Sequence, residues 1–152
     1  MNRRTVGIAL ALLAGGAVLF FWPKKPATDE DQIRALFAQC VKAAEERKLA
    51  VISDAMAPEF KAMGASKDEV RQLLGFQLLR DKETVAVLNP SLDVTVDAPK
   101  ASLSSELVFA RSKPASGVEL APQSVVAAYH LDAKLEKRDG LWLFVSAEYK
   151  QH

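Results

Sequence analysis

A run of eighteen consecutive uncharged residues, Thr5 to Trp22, lies near the start of the chain. At about 1.5 Å per residue, a helix of this length extends about 27 Å, close to the roughly 30 Å of hydrocarbon that a spanning helix crosses. Basic residues flank the run, and no small-residue cleavage site closes it, which favours an uncleaved anchor over a cleaved signal peptide. We therefore predict a cytoplasmic tail at residues 1–4 and a transmembrane signal anchor at residues 5–22.

The charges that flank this run bear on its orientation. Two arginines precede it and two lysines follow it, so the two sides carry equal numbers of basic side chains. A very short basic tail before a long C-terminal part is typical of a signal anchor, which predicts a single pass through a bacterial inner membrane with the C-terminal domain in the periplasm. Residues 23–28 contain two prolines and predict a short, stiff linker.

Three small residues of the anchor recur at intervals of four, namely Gly7, Ala11 and Gly15. This spacing places them on one helix face, where small side chains let two membrane helices approach closely. They form a candidate pairing face for a homodimer. The alternative is chance spacing within an alanine-rich anchor.

The charge and cysteine content of the chain exclude several functions. Without Arg3 and Arg4 the chain has 18 basic and 19 acidic residues, a net charge of −1, so no positive field is available to attract nucleic acid. The single cysteine, Cys40, excludes an intrachain disulfide and a thiolate metal cluster. No sequence motif indicates a cofactor or a metal site. The rest of the chain has the length of one domain, predicted at residues 29–152.

The first half of this domain has helical periodicity. Thr28 followed by three acidic residues predicts a helix start, and the apolar residues from Ile33 to Ala44 recur at helical spacing. A shorter helix is predicted from Lys48 to Met56, ahead of Pro58. A third is predicted from Ser66, where S-K-D-E matches a capping box, to about Arg80.

After about residue 82 the apolar pattern alternates with a period of two, which predicts strands. An Asp-Gly dipeptide at positions 139 and 140 predicts a tight hairpin between the last two strands. The expected architecture is α+β, with three helices packed on a curved antiparallel sheet. The predicted strands are Thr84 to Leu88, Leu92 to Ala98, Ala101 to Arg111, Ser124 to Arg138 and Leu141 to Tyr149.

Alternation also separates the two faces of the predicted sheet. The apolar set is expected to face the helices, and the polar set, which includes Glu106, His130 and Asp132, is expected to face water or a partner. The last strand is apolar on both faces, so either Trp142 and Phe144 or Leu141, Leu143 and Val145 face away from the helices. The predicted inner set is Leu92, Val94, Val96, Ala98, Ala101, Leu103, Leu107, Phe109, Val125, Ala127, Tyr129, Leu131, Ala133 and Leu135.

Several stretches together resemble the nuclear transport factor 2-like superfamily. They are the opening segment from Asp31 to Phe60, the helix S-K-D-E-V-R-Q-L-L leading into V-A-V-L-N and L-D-V-T-V-D, and the late strand D-G-L-W-L-F-V-S-A-E. The resemblance covers about residues 29 to 150. It implies a cone in which a curved sheet wraps a helix and leaves a pocket at the open end. Members of this superfamily include isomerases and dehydratases as well as binding and assembly modules, so the fold does not choose a function.

Enzymes of this fold need an acid or base inside the pocket. The predicted inner face offers Tyr129 and Ser105, with Cys40 from the first helix, but no carboxylate or histidine. His130 with Asp132 is the best candidate catalytic dyad if a bulge turns it inward, although a solvated strand pair is the commoner arrangement. Cys40 fits a small core residue better than a nucleophile. His130 and His152 alone are too few ligands for a metal site.

The leading hypothesis from these observations is a membrane-anchored, non-catalytic binding or assembly module of the bacterial cell envelope, acting with a second copy or an envelope protein. One alternative is a carrier or sensor of an apolar small molecule held in the cone pocket. A second alternative is a hydratase or isomerase. The expected pocket lining is Phe60, Leu107, Phe109, Tyr129 and Trp142.

Overall fold

The computed structural model describes residues 26–84, 86–112 and 124–152. Over these ranges no helix has the length and apolar character needed to cross a membrane. The predicted anchor at residues 5–22, with Gly7, Ala11 and Gly15, lies outside the described residues. The described elements are three helices, α1 (Asp29–Glu45), α2 (Leu49–Asp54) and α3 (Lys67–Arg80), and six strands, β1 (Met56–Ala62), β2 (Ala65–Ser66), β3 (Ala86–Asp97), β4 (Lys100–Ala110), β5 (Val125–Arg138) and β6 (Leu141–Gln151).

A capping box begins each of the two longer helices. The sequence predicts the capping box at Ser66, whereas at Thr28 it predicts only the helix start. The Thr28 hydroxyl accepts from the Asp31 amide at 3.2 Å, and the Asp31 carboxylate accepts from the Thr28 amide at 3.2 Å. At α3 the Ser66 amide donates to the Glu69 carboxylate at 2.7 Å, and the Glu69 amide donates to the Ser66 hydroxyl. These contacts satisfy amides that have no partner within the first helical turn.

The six strands form one curved sheet in the order β2-β1-β6-β5-β4-β3. The expected antiparallel arrangement holds from β3 to β6, and the predicted Asp139-Gly140 turn has positive φ at both residues, 50° and 78°. However, β1 runs parallel to β6, so the sheet is mixed rather than antiparallel throughout. The strand β1 was not predicted, because its partner β6 lies some eighty residues away along the chain.

The two strands predicted at Thr84 to Leu88 and Leu92 to Ala98 are one continuous strand, β3. The Asn89-Pro90 pair does not end it, because the register with β4 shifts between Leu88 and Ser91 and Pro90 falls within this irregularity. β3 is also an edge strand of the sheet, and an edge strand tolerates a residue that lacks an amide donor. The prediction of a break at this point was wrong for that reason.

The core lies between α1 and the inner face of the sheet. Ile33 and Phe37 of α1 are buried, and Leu103 and Leu135 of the sheet are 2% and 1% exposed. On β6 the buried pair is Trp142 and Phe144, which settles the face that the sequence left open. The predicted inner positions Ala98 and Val125 are exposed instead, because Ala98 lies in the β3–β4 turn and a register shift against β4 separates Val125 from Ala127.

Side chains of α1 and of the turn after it join the helices to the rest of the fold. On β3, the Arg34 guanidinium donates to the Leu92 carbonyl at 3.0 Å, and the Glu45 carboxylate accepts from the Val87 amide at 2.8 Å. Arg47 has a φ of 56° and donates to the carbonyls of Leu78 and Asp81 at the end of α3. These contacts hold α1 against β3 and fix the end of α3.

Candidate functional site

The outer face of the sheet carries a cluster formed by Ser104, Glu106, His130, Asp132 and His152, called here the histidine cluster. Register places Glu106 directly opposite His130. The Nδ1 atom of His130 is 2.5 Å from a Glu106 carboxylate oxygen, and its Nε2 atom is 3.3 Å from both the Asp132 carboxylate and the Ser104 hydroxyl. The second Glu106 oxygen is 3.3 Å from Nε2 of His152. Both carboxylates and both histidines are therefore connected through contacts to Glu106 and His130.

The electrostatics of the cluster follow from these contacts. The hydrogen bond with Glu106, assisted by the nearby Asp132 carboxylate, raises the pKa of His130 above its ordinary value. The same hydrogen bond lowers the pKa of Glu106. Each partner therefore favours the charged form of the other, as expected for a neighbouring ion pair. Glu106 and His130 are both 35% exposed, so solvent screens the pair.

A shallow hollow of about 300 Å³ adjoins the cluster, lined by Met63, His130, Asp132, Glu148, Tyr149 and Lys150. Chemically, His130 could exchange a proton with a group held there, but both of its ring nitrogens already contact carboxylates. The sequence placed His130 and Asp132 on the outer face, and the structure places them there. Within the described residues, no group of three or more histidine, cysteine, aspartate or glutamate side chains is arranged to hold a metal ion.

The residues predicted to line the pocket fall into two groups. Phe60 and Trp142 belong to the buried core, where the Trp142 indole donates to the Asp29 carboxylate at 3.1 Å. Leu107, Phe109 and Tyr129 are half-buried and lie further along the inner face. The Phe109 and Tyr129 rings meet edge to face, with their centroids 5.7 Å apart. The structure thus brings three of the five residues to the same part of the sheet, and their role in binding stays a prediction.

Tyr149 extends this group, and sequence reasoning did not place it there. A register shift against β5 leaves Val145 as an extra residue on β6, so that Ala147 and Tyr149 return to the inner face occupied by Phe144. The Tyr149 ring lies 6.1 Å from that of Tyr129. We call Phe109, Tyr129 and Tyr149 the aromatic row. The alternation of apolar and polar residues does not reveal this bulge, because the strand is apolar on both faces. Only the polar residues Ser146 and Glu148 indicate the change of face.

Ser105 and Cys40 are the two side chains of the inner side that could act as nucleophiles, and their contacts indicate a structural role. Ser105 is 1% exposed, and its hydroxyl donates to the Ser91 carbonyl at 2.8 Å. Cys40 packs against the core, and burial raises the pKa of its thiol to about 11. A thiol with such a pKa is almost entirely protonated at neutral pH, whereas a reactive cysteine needs the thiolate. These positions agree with the interpretation of Cys40 as a core residue.

Comparison with known proteins identifies the fold. A protein of unknown function with a cystatin-like fold from Nostoc punctiforme aligns over 86% of this chain and 96% of its own, with a TM-score of 0.64 and 13% identity. An NTF2-like protein of unknown function from Pseudomonas putida aligns over 80% and 84%, with the same score and identity. The chain therefore has the NTF2-like, or cystatin-like, α+β fold that the sequence predicts.

A third similar structure is a proposed dehydratase of the NTF2-like family from Streptomyces avermitilis, with a TM-score of 0.61 and 14% identity over 84% of this chain and 99% of its own. No protein-family model matches the chain, and a comparison with curated proteins found no match. At these identities the likeness defines the fold alone, so function must be argued from the two faces of the sheet.

Proposed function

We propose that the chain is a membrane-anchored, non-catalytic binding module of the bacterial cell envelope, with its domain in the periplasm. One observation carries the binding role: the described inner-face positions of β3 to β6 are mainly apolar or aromatic and include no carboxylate or histidine, because the carboxylates and histidines of these strands lie on the outer face. The half-exposed aromatic row offers rings that can pack against a partner without a catalytic acid or base beside them.

The anchor is supported by the uncharged run at residues 5–22 and by the basic residues on both sides of it. Expression of the full chain in a Gram-negative host tests it. The chain should remain in inner-membrane fractions after alkaline extraction, and protease added to spheroplasts should digest the domain. A variant with Leu12→Arg and Leu13→Arg should leave the membrane, because each central arginine costs about 3 kcal/mol of insertion free energy. Recovery of a shortened, soluble chain would show a cleaved signal peptide instead.

The binding role is tested separately, with a photo-crosslinking amino acid in place of Tyr129 in intact cells. An envelope protein should be captured from this position. Lys134 is the matched control position, since it is on the same strand, is exposed and faces outward. Equal capture from both positions, or capture from neither, would contradict a binding surface at the aromatic row.

A second candidate is a carrier of an apolar small molecule, favoured by the edge-to-face contacts of Phe109, Tyr129 and Tyr149 beside the half-buried Leu107. Native mass spectrometry of the purified chain should then show a bound lipid or other apolar compound. Tyr129→Ala should reduce its occupancy, while His130→Ala, one residue away on the opposite face, should not. A chain without bound compound, and without affinity for added fatty acid, would contradict this candidate.

A further inference from the structure

Helix α3 presents an apolar stripe to solvent. Leu73, Phe76 and Leu79 recur every three residues along it and are 57%, 61% and 74% exposed. The opposite side of the helix carries Val70 and Leu74, which pack against the core. The helix is therefore already seated on its own domain, and the stripe is additional apolar surface on the other side. Contiguous exposed apolar side chains of this kind mark an interaction surface.

Opposite charges stand at the two ends of the stripe. Glu69 lies at its start, where one carboxylate oxygen accepts the Ser66 amide in the capping box. Arg80 lies at its end, with its guanidinium 5.5 Å from the centroid of the Phe76 ring. The midpoint between Glu69 and Arg80 is also the midpoint between Leu73 and Phe76. A second copy of the helix, turned end for end about this midpoint, therefore sets Glu69 against Arg80 and Leu73 against Phe76.

The shape of the surface also fits a two-fold arrangement of two copies. A groove of about 620 Å³ lies along α3 from Glu69 to Phe76, between this helix and the β1–β2 turn, lined by Gly64, Ala65, Glu69, Gln72, Leu73 and Phe76. Leu79, which is the most exposed large apolar side chain in the part of the chain that the structure describes, lies on the second half. In the end-for-end arrangement, Leu79 of each copy passes over the groove of the other. A projection and a groove at opposite ends of one helix are what a self-complementary two-fold contact requires.

We propose that α3 is a homodimerisation surface, in which two copies of the chain pair antiparallel through Leu73, Phe76 and Leu79, with Glu69 of each copy facing Arg80 of the other. A second copy is the occupant that fits, because the charge pattern and the groove are each complementary to themselves. The inference goes beyond the proposed binding role and does not depend on the anchor, since it rests only on residues 64–80.

The test uses the full chain in mild detergent, with its mass measured by light scattering over a range of protein concentrations. The wild-type chain should be a dimer, and Leu79→Glu should make it monomeric. Leu141→Glu is the matched control, because Leu141 is an equally apolar residue that is 67% exposed on another part of the surface. That variant should stay dimeric.

Charge exchange then tests the orientation of the pair. Arg80→Glu should raise the dimer dissociation constant about tenfold, because it sets two carboxylates against each other. The double variant Glu69→Arg with Arg80→Glu should restore most of the affinity. Since Glu69 also caps α3, circular dichroism must show that the helix is retained in the double variant.

A second measurement does not need the cap to be changed. In a Cys40→Ala background, Gln72→Cys should be joined to a second copy by a short bismaleimide, whereas Leu141→Cys should not. A monomeric wild-type chain would overturn the proposal and leave the stripe to a different protein. A dimer unaffected by Leu79→Glu and by Arg80→Glu would overturn it as well, since another surface, such as the anchor, would then hold the copies together.

Discussion

The imidazole of His130 lies directly opposite the carboxylate of Glu106 on the outer face of the sheet, with 2.5 Å between Nδ1 and the nearer oxygen. The raised pKa of His130 means that its contribution to stability is complete below its ordinary pKa of 6.5 and is lost as pH rises through the raised value. The lowered pKa of Glu106 means that its contribution is present above 4.5 and is lost as pH falls through the lowered value. Both contributions are present between these limits.

The first prediction follows from this window. His130→Gln should lower the thermal midpoint relative to the wild-type chain at about pH 5.5, and the difference should shrink towards about pH 9, because the wild-type imidazole loses its proton as the pH rises through its raised pKa. Thermal melts followed by circular dichroism at the two pH values measure it. Lys134→Gln, on the same face of β5, is the control and should show no such pH dependence. A His130→Gln deficit that grows with pH would contradict the assigned pair.

The second prediction concerns Cys40. Because burial raises the pKa of its thiol to about 11, the folded chain should react very slowly with a thiol reagent at about pH 8, and urea should make it react quickly. The chain has one cysteine, so the reaction reports on this residue alone. Ser102→Cys in a Cys40→Ala background places a thiol at an exposed position and should react fast without urea. Equal rates for the two thiols would show that Cys40 is accessible.

The third prediction compares two leucines on adjacent strands. Leu135 is 1% exposed and Leu141 is 67% exposed. Leu135→Ala should lower the free energy of unfolding by about 2–5 kcal/mol, because it removes buried methyl groups and leaves a cavity. Leu141→Ala should change it by less than about 0.5 kcal/mol. Denaturant titrations of the two variants measure the difference, and similar losses would place Leu135 outside the core.

The fourth prediction compares one substitution at two glycines. Gly140 has a φ of 78°, so Gly140→Ala should destabilise the β5–β6 hairpin by about 1 kcal/mol, although the added methyl group meets no neighbouring atom. Gly75 lies within α3, where alanine favours the helix by up to about 1 kcal/mol. Its new methyl group would meet only the end of the Leu49 side chain at 3.3 Å, which can move. Opposite signs in the two unfolding free energies are expected, and a loss at both positions would contradict this.

The sequence predicted the features of this fold that depend on neighbouring residues. The helix starts at Thr28 and Ser66 and the turn at Asp139 and Gly140 each depend on contacts within four residues, and all three are confirmed. It did not predict β1, whose hydrogen-bonding partner β6 is remote, or the continuity of β3 across Pro90. Both errors concern proline-containing segments in which an irregular register makes the missing amide unnecessary.

Contacts within the candidate sites also depend on residues that are distant along the chain. Alternation placed Glu106, His130 and Asp132 on the outer face, but their mutual contacts depend on the register between β4 and β5, which no local pattern contains. His152 is distant from His130 along the chain, and strand pairing brings it to the same carboxylate. Tyr149 reaches the aromatic row only because of the bulge at Val145. The features that the sequence could not predict are those that depend on pairing between distant strands rather than on residue type.

The contacts of α1 with β3 also affect whether copies of the domain can associate through the edge of the sheet. A twelve-residue strand at the end of a sheet is a template on which another chain can add a strand and begin uncontrolled polymerisation. Here the Arg34 and Glu45 side chains already bind the Leu92 carbonyl and the Val87 amide, and Pro90 supplies no donor between them. Crowding of many copies therefore favours finite contacts between folded surfaces over growth of the sheet into fibres.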